Sequence, residues 1–225
     1  MDSTEKVKKE IMHVFDAIAE EFDRSRSRVW VEEASLLLGR GRLLDLGCGN
    51  GRNGIYLSDR GSYVVFADIS FNMLKVVGRK RPSPPRVQCD ASSLPFRDQC
   101  FDGVLFIAAL HHLPRDERNA ALKEIRRILK PKGLAVISAW ALFQPRFFRK
   151  IPKMIVEALK GKEFGDIYVP WGSKKRLLRY YHLMTRRELT DLVRRSGLKV
   201  LAAYGKSFKT RFFSENHVVL ASREE

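Results

Sequence analysis

Apolar residues recur three or four positions apart at the start of the chain, at Val7, Ile11, Val14, Phe15, Ile18 and Phe22. That period predicts an amphipathic helix with one inward face. From Leu43 onward the pattern changes to short apolar runs, at Leu43–Leu46, Ser62–Ala67, Arg86–Cys89, Phe101–Leu110 and Leu134–Ala139. Runs of this length suit strands of a parallel sheet buried on both faces. Helical patterns fall between them at Arg52–Leu57 and Arg115–Leu129, the second stopped by Lys130-Pro131-Lys132-Gly133. The proline-rich Lys80–Pro85 makes a short, stiff approach to Arg86–Cys89, the strand expected at the sheet edge. Trp140 to Tyr181 loses periodicity and becomes basic and aromatic, as a substrate mouth would be. Thr185-Arg-Arg-Glu188 then reads as a capping box opening a helix that Gly197 ends. Leu198–Tyr204 and His217–Ala221 complete the sheet as an antiparallel pair across a Lys/Phe-rich connection.

This alternation predicts one α/β domain over residues 1–225, with a helical cap at 1–35 and a substrate-binding insertion at 140–184. No apolar run approaches the roughly 20 residues of a membrane-spanning helix. A soluble, cytoplasmic protein with no membrane partner is expected. The cysteines, Cys48, Cys89 and Cys100, lack paired metal or redox spacing and read as reduced core residues. The net charge is +16, and Trp140 to Phe212 holds 18 Lys or Arg against 5 Asp or Glu, giving +13 of it. Such a concentration suits a polyanionic partner, nucleic acid above all, although a solvated basic face would look the same.

Candidate chemistry begins at Asp45-Leu-Gly47-Cys48-Gly49-Asn-Gly51, where glycines at every second position let the backbone approach a ligand. A glycine-rich turn in another α/β protein is the plain alternative. Asp68 ends the next strand, where a carboxylate can accept hydrogen bonds from ribose hydroxyls, and Asp90 follows the third. This succession resembles the S-adenosylmethionine-dependent methyltransferases of class I. The resemblance implies a Rossmann-like fold with a seven-stranded, mostly parallel sheet and an antiparallel last strand. It implies S-adenosylmethionine as cofactor, held by Asp45, Gly47, Cys48, Gly49, Gly51, Asp68, Ile69, Asp90, Ala91 and Ala108, with the N-terminal helix over the cleft.

His111-His112 follows the fourth strand, where amino-group N-methylating relatives carry Asn or Asp, Pro-Pro and an aromatic, and no cysteine stands there to attack a pyrimidine carbon. Four stretches point elsewhere: Ile18-Ala19 with Phe22, Arg26 and Trp30; Ala108 to His112; Trp140 to Leu142 with Gln144; and Val169-Pro-Trp171 with Arg179-Tyr180-Tyr181-His182-Leu183. Together they resemble the tRNA wobble-uridine methyltransferases that esterify 5-carboxymethyluridine. Only Gly172 to Leu178 separate Val-Pro-Trp from Arg-Tyr-Tyr-His, which is similar to a compact prokaryotic or archaeal member. The resemblance implies the tRNA anticodon loop as substrate. It also implies a small zinc-binding activator protein along the edge strand Arg86 to Cys89, the zinc being the partner's. A carboxylate is ionised at neutral pH, so the absence of a general base after the fourth strand agrees with ester formation. Arg26, Arg179, Tyr180 and His182 are the expected carboxylate or uridine contacts, with His111 and His112 bordering the methyl and Trp171 stacking on a base. A tyrosine of Tyr180-Tyr181 could equally be core. Two other readings stay open: methyl transfer to a small quinone-precursor-like phenol, and a non-catalytic nucleic-acid-binding protein with a relic pocket.

Overall fold

The computed structural model describes residues 3–172, 174–208 and 212–225, with the side chains of 3, 4 and 174–176 left aside; residues 209–211 of the Lys/Phe-rich connection lie outside the described residues. Its first strands are β1 (Arg42–Leu46), β2 (Tyr63–Asp68), β3 (Arg86–Gln88), β4 (Phe101–Phe106) and β5 (Leu129–Trp140). The chain ends with β8 (Lys199–Lys206) and β9 (Asn216–Ser222). These seven strands form one sheet in the order β3-β2-β1-β4-β5-β9-β8, with β9 antiparallel to both neighbours. The first five pair in parallel. This is the expected class I arrangement.

Alternation along the strands explains why both faces need cover. Leu43, Val64, Phe66 and Leu105 pack toward α2 (Val31–Ser35), α3 (Arg52–Ser58) and α4 (Phe71–Lys80). Their neighbours Leu44, Val65 and Val104 pack toward α5 (Arg115–Ile128) and α8 (Arg186–Arg195). Successive side chains point to opposite faces, so an all-apolar run is buried twice.

Three boundaries differ from the periodicity. The fourth strand stops at Phe106 because Ala108 turns to φ +54° and Leu110–His112 close a 3-10 turn. The helix does stop before Lys130 to Gly133, α5 ending at Ile128, but β5 begins already at Leu129 instead of Leu134, and the register shift opposite Phe101 and Gly103 absorbs the proline within it. The stretch Trp140 to Tyr181 is ordered as α6 (Pro145–Phe148), α7 (Ile151–Leu159) and a hairpin of β6 (Asp166–Trp171) and β7 (Lys174–His182). Basic side chains on exposed faces conceal the apolar contacts among Leu142, Phe147, Met154, Ile167, Tyr181 and Leu183.

The helix α1 (Ser3–Ser25) joins these parts. Val14, Ile18 and Ala19 pack against Met73 and Val76 of α4 and Trp171 of the hairpin. Asp16 Oδ1 accepts from Ser70 Oγ at 2.6 Å and Asn72 N at 3.0 Å, satisfying a donor of the first turn of α4. Ile18 is fully buried, so Ile18→Ala should cost about 2 to 5 kcal/mol in urea unfolding. A loss below about 1 kcal/mol would mean that α1 is not anchored by this face.

Candidate active site

The turn after β1 is built by backbone geometry that glycine tolerates. Gly47 has φ +59°, and a Cβ there would come within 2.6 Å of the Ala109 side chain. Cys48 N donates to Ala67 O at 3.0 Å and Gly49 N to Asp68 Oδ2 at 2.8 Å, stitching the turn to the end of β2. Asp68 Oδ1 accepts from Ser70 N at 2.9 Å. Burial pushes Asp68 up to about 6, leaving it ionised at neutral pH, and no cation among the described residues pairs with it.

Above this turn lies a cavity of about 430 Å³, within the usual range of small-molecule sites. Gly47, Cys48, Gly49, Asp68, Ile69, Asp90, Ala91 and Ala108 line one end of it. Asp45 and Gly51 do not. Asp45 lies beneath the turn, its Oδ2 accepting from Gly54 N at 2.9 Å in the first turn of α3, and burial pushes its carboxyl up to about 7. It positions the turn rather than touching a ligand. Gly51 caps α3 with φ +75°, where a Cβ would strike Val77 at 2.8 Å. Burial drives the Cys48 thiol well above its ordinary value, so it is filler. Asp90 is neutralised from above: Lys8 of α1 reaches it at 2.5 Å and Glu117 at 3.0 Å.

The other end is aromatic and cationic. His111 is stacked with Tyr181 at 5.0 Å and 12° and with Trp140 at 5.4 Å and 29°. Burial lowers its pKa far below the usual value, so the ring is neutral. Its Nδ1 accepts from Trp140 N at 3.2 Å, which puts the proton on Nε2, and Nε2 has no partner among the described residues. Arg179, only 6% exposed, lies over Trp171 at 4.8 Å and Tyr181 at 5.2 Å. Its Nη2 reaches Pro170 O at 3.4 Å, its Nε is unsatisfied, and no carboxylate among the described residues pairs with it. Burial lowers its pKa, Tyr181 works the other way, and the charge of Arg26 lowers it further. Arg26 stands over Trp171 at 5.6 Å, and Arg146 over Trp140 at 4.0 Å. All three guanidinium groups line the cavity. Arg179 is the buried one, and a buried cation without a counter-charge is costly; with the exposed Arg26 and Arg146 beside it, it makes a receptor for an anion.

Strand alternation corrects two expected contacts. On β7, Arg179 and Tyr181 face the cavity, so Tyr180 and His182 point to the opposite side. There Tyr180 Oη donates to Asp166 Oδ1 at 2.7 Å, and His182 donates from Nδ1 to Asp166 and from Nε2 to Glu188, each at 2.7 Å. Neither residue reaches a ligand in this cavity. Trp171 is corrected as well: it is buried and stacked on Phe22 at 5.8 Å, leaving no face for a base. His112 lines the cavity, but its Nδ1 donates to Tyr180 O at 2.8 Å, and burial pushes its pKa down to about 3. Sequence reasoning missed Arg146, Arg52, which also lines the cavity, and the inward role of Tyr181. Arg146 follows a proline in an aperiodic stretch and offers no local signal, whereas the period of two could have separated Tyr181 from Tyr180.

The methyltransferase domain family matches residues 44–137. A putative methyltransferase of Encephalitozoon cuniculi is 32% identical over 207 residues, 89% of this chain and 93% of that protein. A tRNA (carboxymethyluridine(34)-5-O)-methyltransferase of Arabidopsis thaliana is 36% identical over 148 residues, 63% of this chain, which spans only 35% of that protein's length. A demethylmenaquinone methyltransferase of Streptomyces avermitilis is 27% identical over 216 residues, covering 89% of this chain and 90% of that protein. Among solved structures, the complex of the Haloferax volcanii Trm112 methyltransferase activator with a putative methyltransferase matches with TM-score 0.69 at 17% identity, over 96% of this chain and 98% of that one.

The pair of hydrogen bonds from His182 requires an imidazolium. Burial and the Arg118 charge oppose its protonation, but Asp166 and Glu188 outweigh them and hold the pKa above its ordinary 6.5, with Glu163 also 3.9 Å away. Its stabilisation is therefore complete below about pH 6.5 and fades as the pH rises through the folded-state value. The stability gap between wild type and His182→Asn in urea should narrow between about pH 6 and pH 9. A constant gap would mean that the ring is neutral throughout.

Proposed function

The chain belongs to the methyltransferases, with the class I fold and S-adenosylmethionine as methyl donor, and we propose that it esterifies the carboxymethyl group of wobble 5-carboxymethyluridine in tRNA. The observation that carries this reading is the convergence of Arg26, Arg146 and Arg179 on the cavity, with the buried Arg179 ion-paired to no carboxylate among the described residues and Glu215 the acid whose charge reaches Arg146. A small anionic acceptor group completes that site. The Arabidopsis relative's printed activity, and the +13 held between Trp140 and Phe212, support RNA as its carrier.

The cavity suits the donor. Gly47 and Gly49 leave room for close backbone approach, Asp68 offers lone pairs to ribose hydroxyls, and Ile69, Asp90, Ala91 and Ala108 would surround the adenine and methionine parts. S-Adenosylmethionine supplies a methyl group whose C–S bond breaks as a carboxylate oxygen forms the new C–O bond, with no proton to remove. Arg179 and Arg146 orient the carboxylate, and the Nε2–H of His111 is a donor for one of its oxygens. Trp140 and Tyr181 wall the acceptor off from water, which strengthens these contacts. Because the acceptor is already ionised, the neutral His111 has no proton to accept.

A small zinc-binding activator would add a strand at β3, whose Arg86–Gln88 pairs with β2 alone among the described strands. The Haloferax complex supports a partner of this kind. The second reading, methyl transfer to a quinone precursor, is favoured by the Streptomyces relative but gives three arginines no role.

The test is transfer of labelled methyl to tRNA from cells lacking this protein, with and without the activator, followed by mild alkali. Alkali-released label is expected. Stable label, or label entering only a phenolic acceptor, would overturn the reading. Arg179→Ala should lower kcat/KM for tRNA about 100-fold, and Arg179→Lys should restore little, since an ammonium cannot copy the planar fork. Asp68→Ala should instead weaken S-adenosylhomocysteine binding in calorimetry about 10- to 100-fold, the size expected from lost hydrogen bonds to a charged group.

A further inference from the structure

The rim of the cavity carries an aromatic surface that the ester chemistry does not use. Phe143 is 54% exposed, Phe148 39%, Phe212 92% and Phe213 40%. Phe148 and Phe213 meet edge to face with centroids 5.4 Å apart, although α6 brings one and the segment before β9 the other. The same two segments also reach the cavity: Arg146, two residues before Phe148, and Glu215, two after Phe213, line it. Arg149, exposed, follows Phe148, and no ion pair to it is formed among the described residues, whereas Lys150 turns to a second cavity with Glu157 and Glu163. Glu215, the nearest acid in sequence, is turned back to accept from Phe208 N at 3.3 Å.

Exposed rings of this size cost stability unless something covers them. Flat rings beside a cation match the faces and phosphates of unstacked nucleotides, whereas a duplex offers phosphates but hides its bases. We propose that Phe148 and Phe213 form a stacking platform for the nucleotides flanking the target in a single-stranded RNA loop, with Arg149 holding a phosphate. Phe143 and Phe212 widen it. This site takes over the stacking role that burial denies to Trp171. The inference rests on an RNA substrate, as proposed above.

The test compares an RNA stem-loop of seven unpaired nucleotides with a blunt RNA duplex of equal length, by fluorescence anisotropy across salt concentrations. Phe148→Ala and Phe213→Ala should each weaken stem-loop binding about 5- to 100-fold, leaving duplex binding and the salt slope unchanged. Phe148→Trp should keep the affinity. Arg149→Ala should weaken both RNAs and lower the slope of log K against log salt by about 0.7 to 0.9. Unchanged S-adenosylhomocysteine binding shows that each variant is folded. Stem-loop affinity indifferent to both phenylalanines overturns the platform, even where wild-type protein forms the methyl ester. A phenylalanine-dependent preference for the loop upholds the platform, even where no ester forms and the esterification reading falls. Loss of binding to anionic phospholipid vesicles in Phe148→Ala, with RNA affinity intact, would make the rim a membrane face and also overturn it.

Discussion

Arg179 is an ion pair with one member missing. Its guanidinium sits 6% exposed between aromatic rings, with one long hydrogen bond to Pro170 O and no carboxylate among the described residues. Keeping such a group buried costs several kcal/mol unless an anion arrives. The surrounding structure supplies what holds it there: the β6–β7 hairpin fixes its strand, Trp171 lies beneath it, and Phe22 of α1 stacks on Trp171 from the other side. The site for the acceptor therefore depends on the packing of the first helix.

That helix serves both ends of the cavity. Lys8 neutralises Asp90 at the end that would hold adenine, Asp16 caps α4 near Asp68, and Asp23 pairs with Lys80 while accepting from Asn50 of the glycine turn at 2.9 Å. One amphipathic stripe thus links the cofactor turn to the hairpin. The charges along its margin are spent on tertiary contacts rather than on solvation.

Burial sorts the titratable groups by role. Asp68, with two backbone N–H donors, stays ionised near neutral pH and keeps acceptor capacity for hydroxyls. His111 and His112 are forced neutral, so one offers an N–H and the other ties β7 to the 3-10 turn. His182, a few ångströms along the same strand but on its far side, is held charged by two carboxylates. Equal side chains take opposite protonation states because, among the described residues, carboxylates accept directly from His182 and none from His111 or His112.

Hydrophobic period marked the buried strands and glycine spacing the turn at Gly47, since these depend on neighbours within a few residues, while the arrangement of the sheet came from the resemblance to class I methyltransferases. The acidic residues Asp68 and Asp90 were legible for the same reason, the first ending β2 and the second following β3. The acceptor end was only half legible. Arg26 and Arg179 could be picked out as cations near the cleft, but Tyr180, His182 and Trp171 were assigned to a face they do not share. Arg146 had no local mark at all. Which side chains meet there is decided by how a hairpin, a short helix and α1 pack together, and contacts between segments far apart in the chain leave no period to read. The sequence by itself determined a cofactor fold and a basic mouth, and the tertiary structure alone decided which cations lack partners.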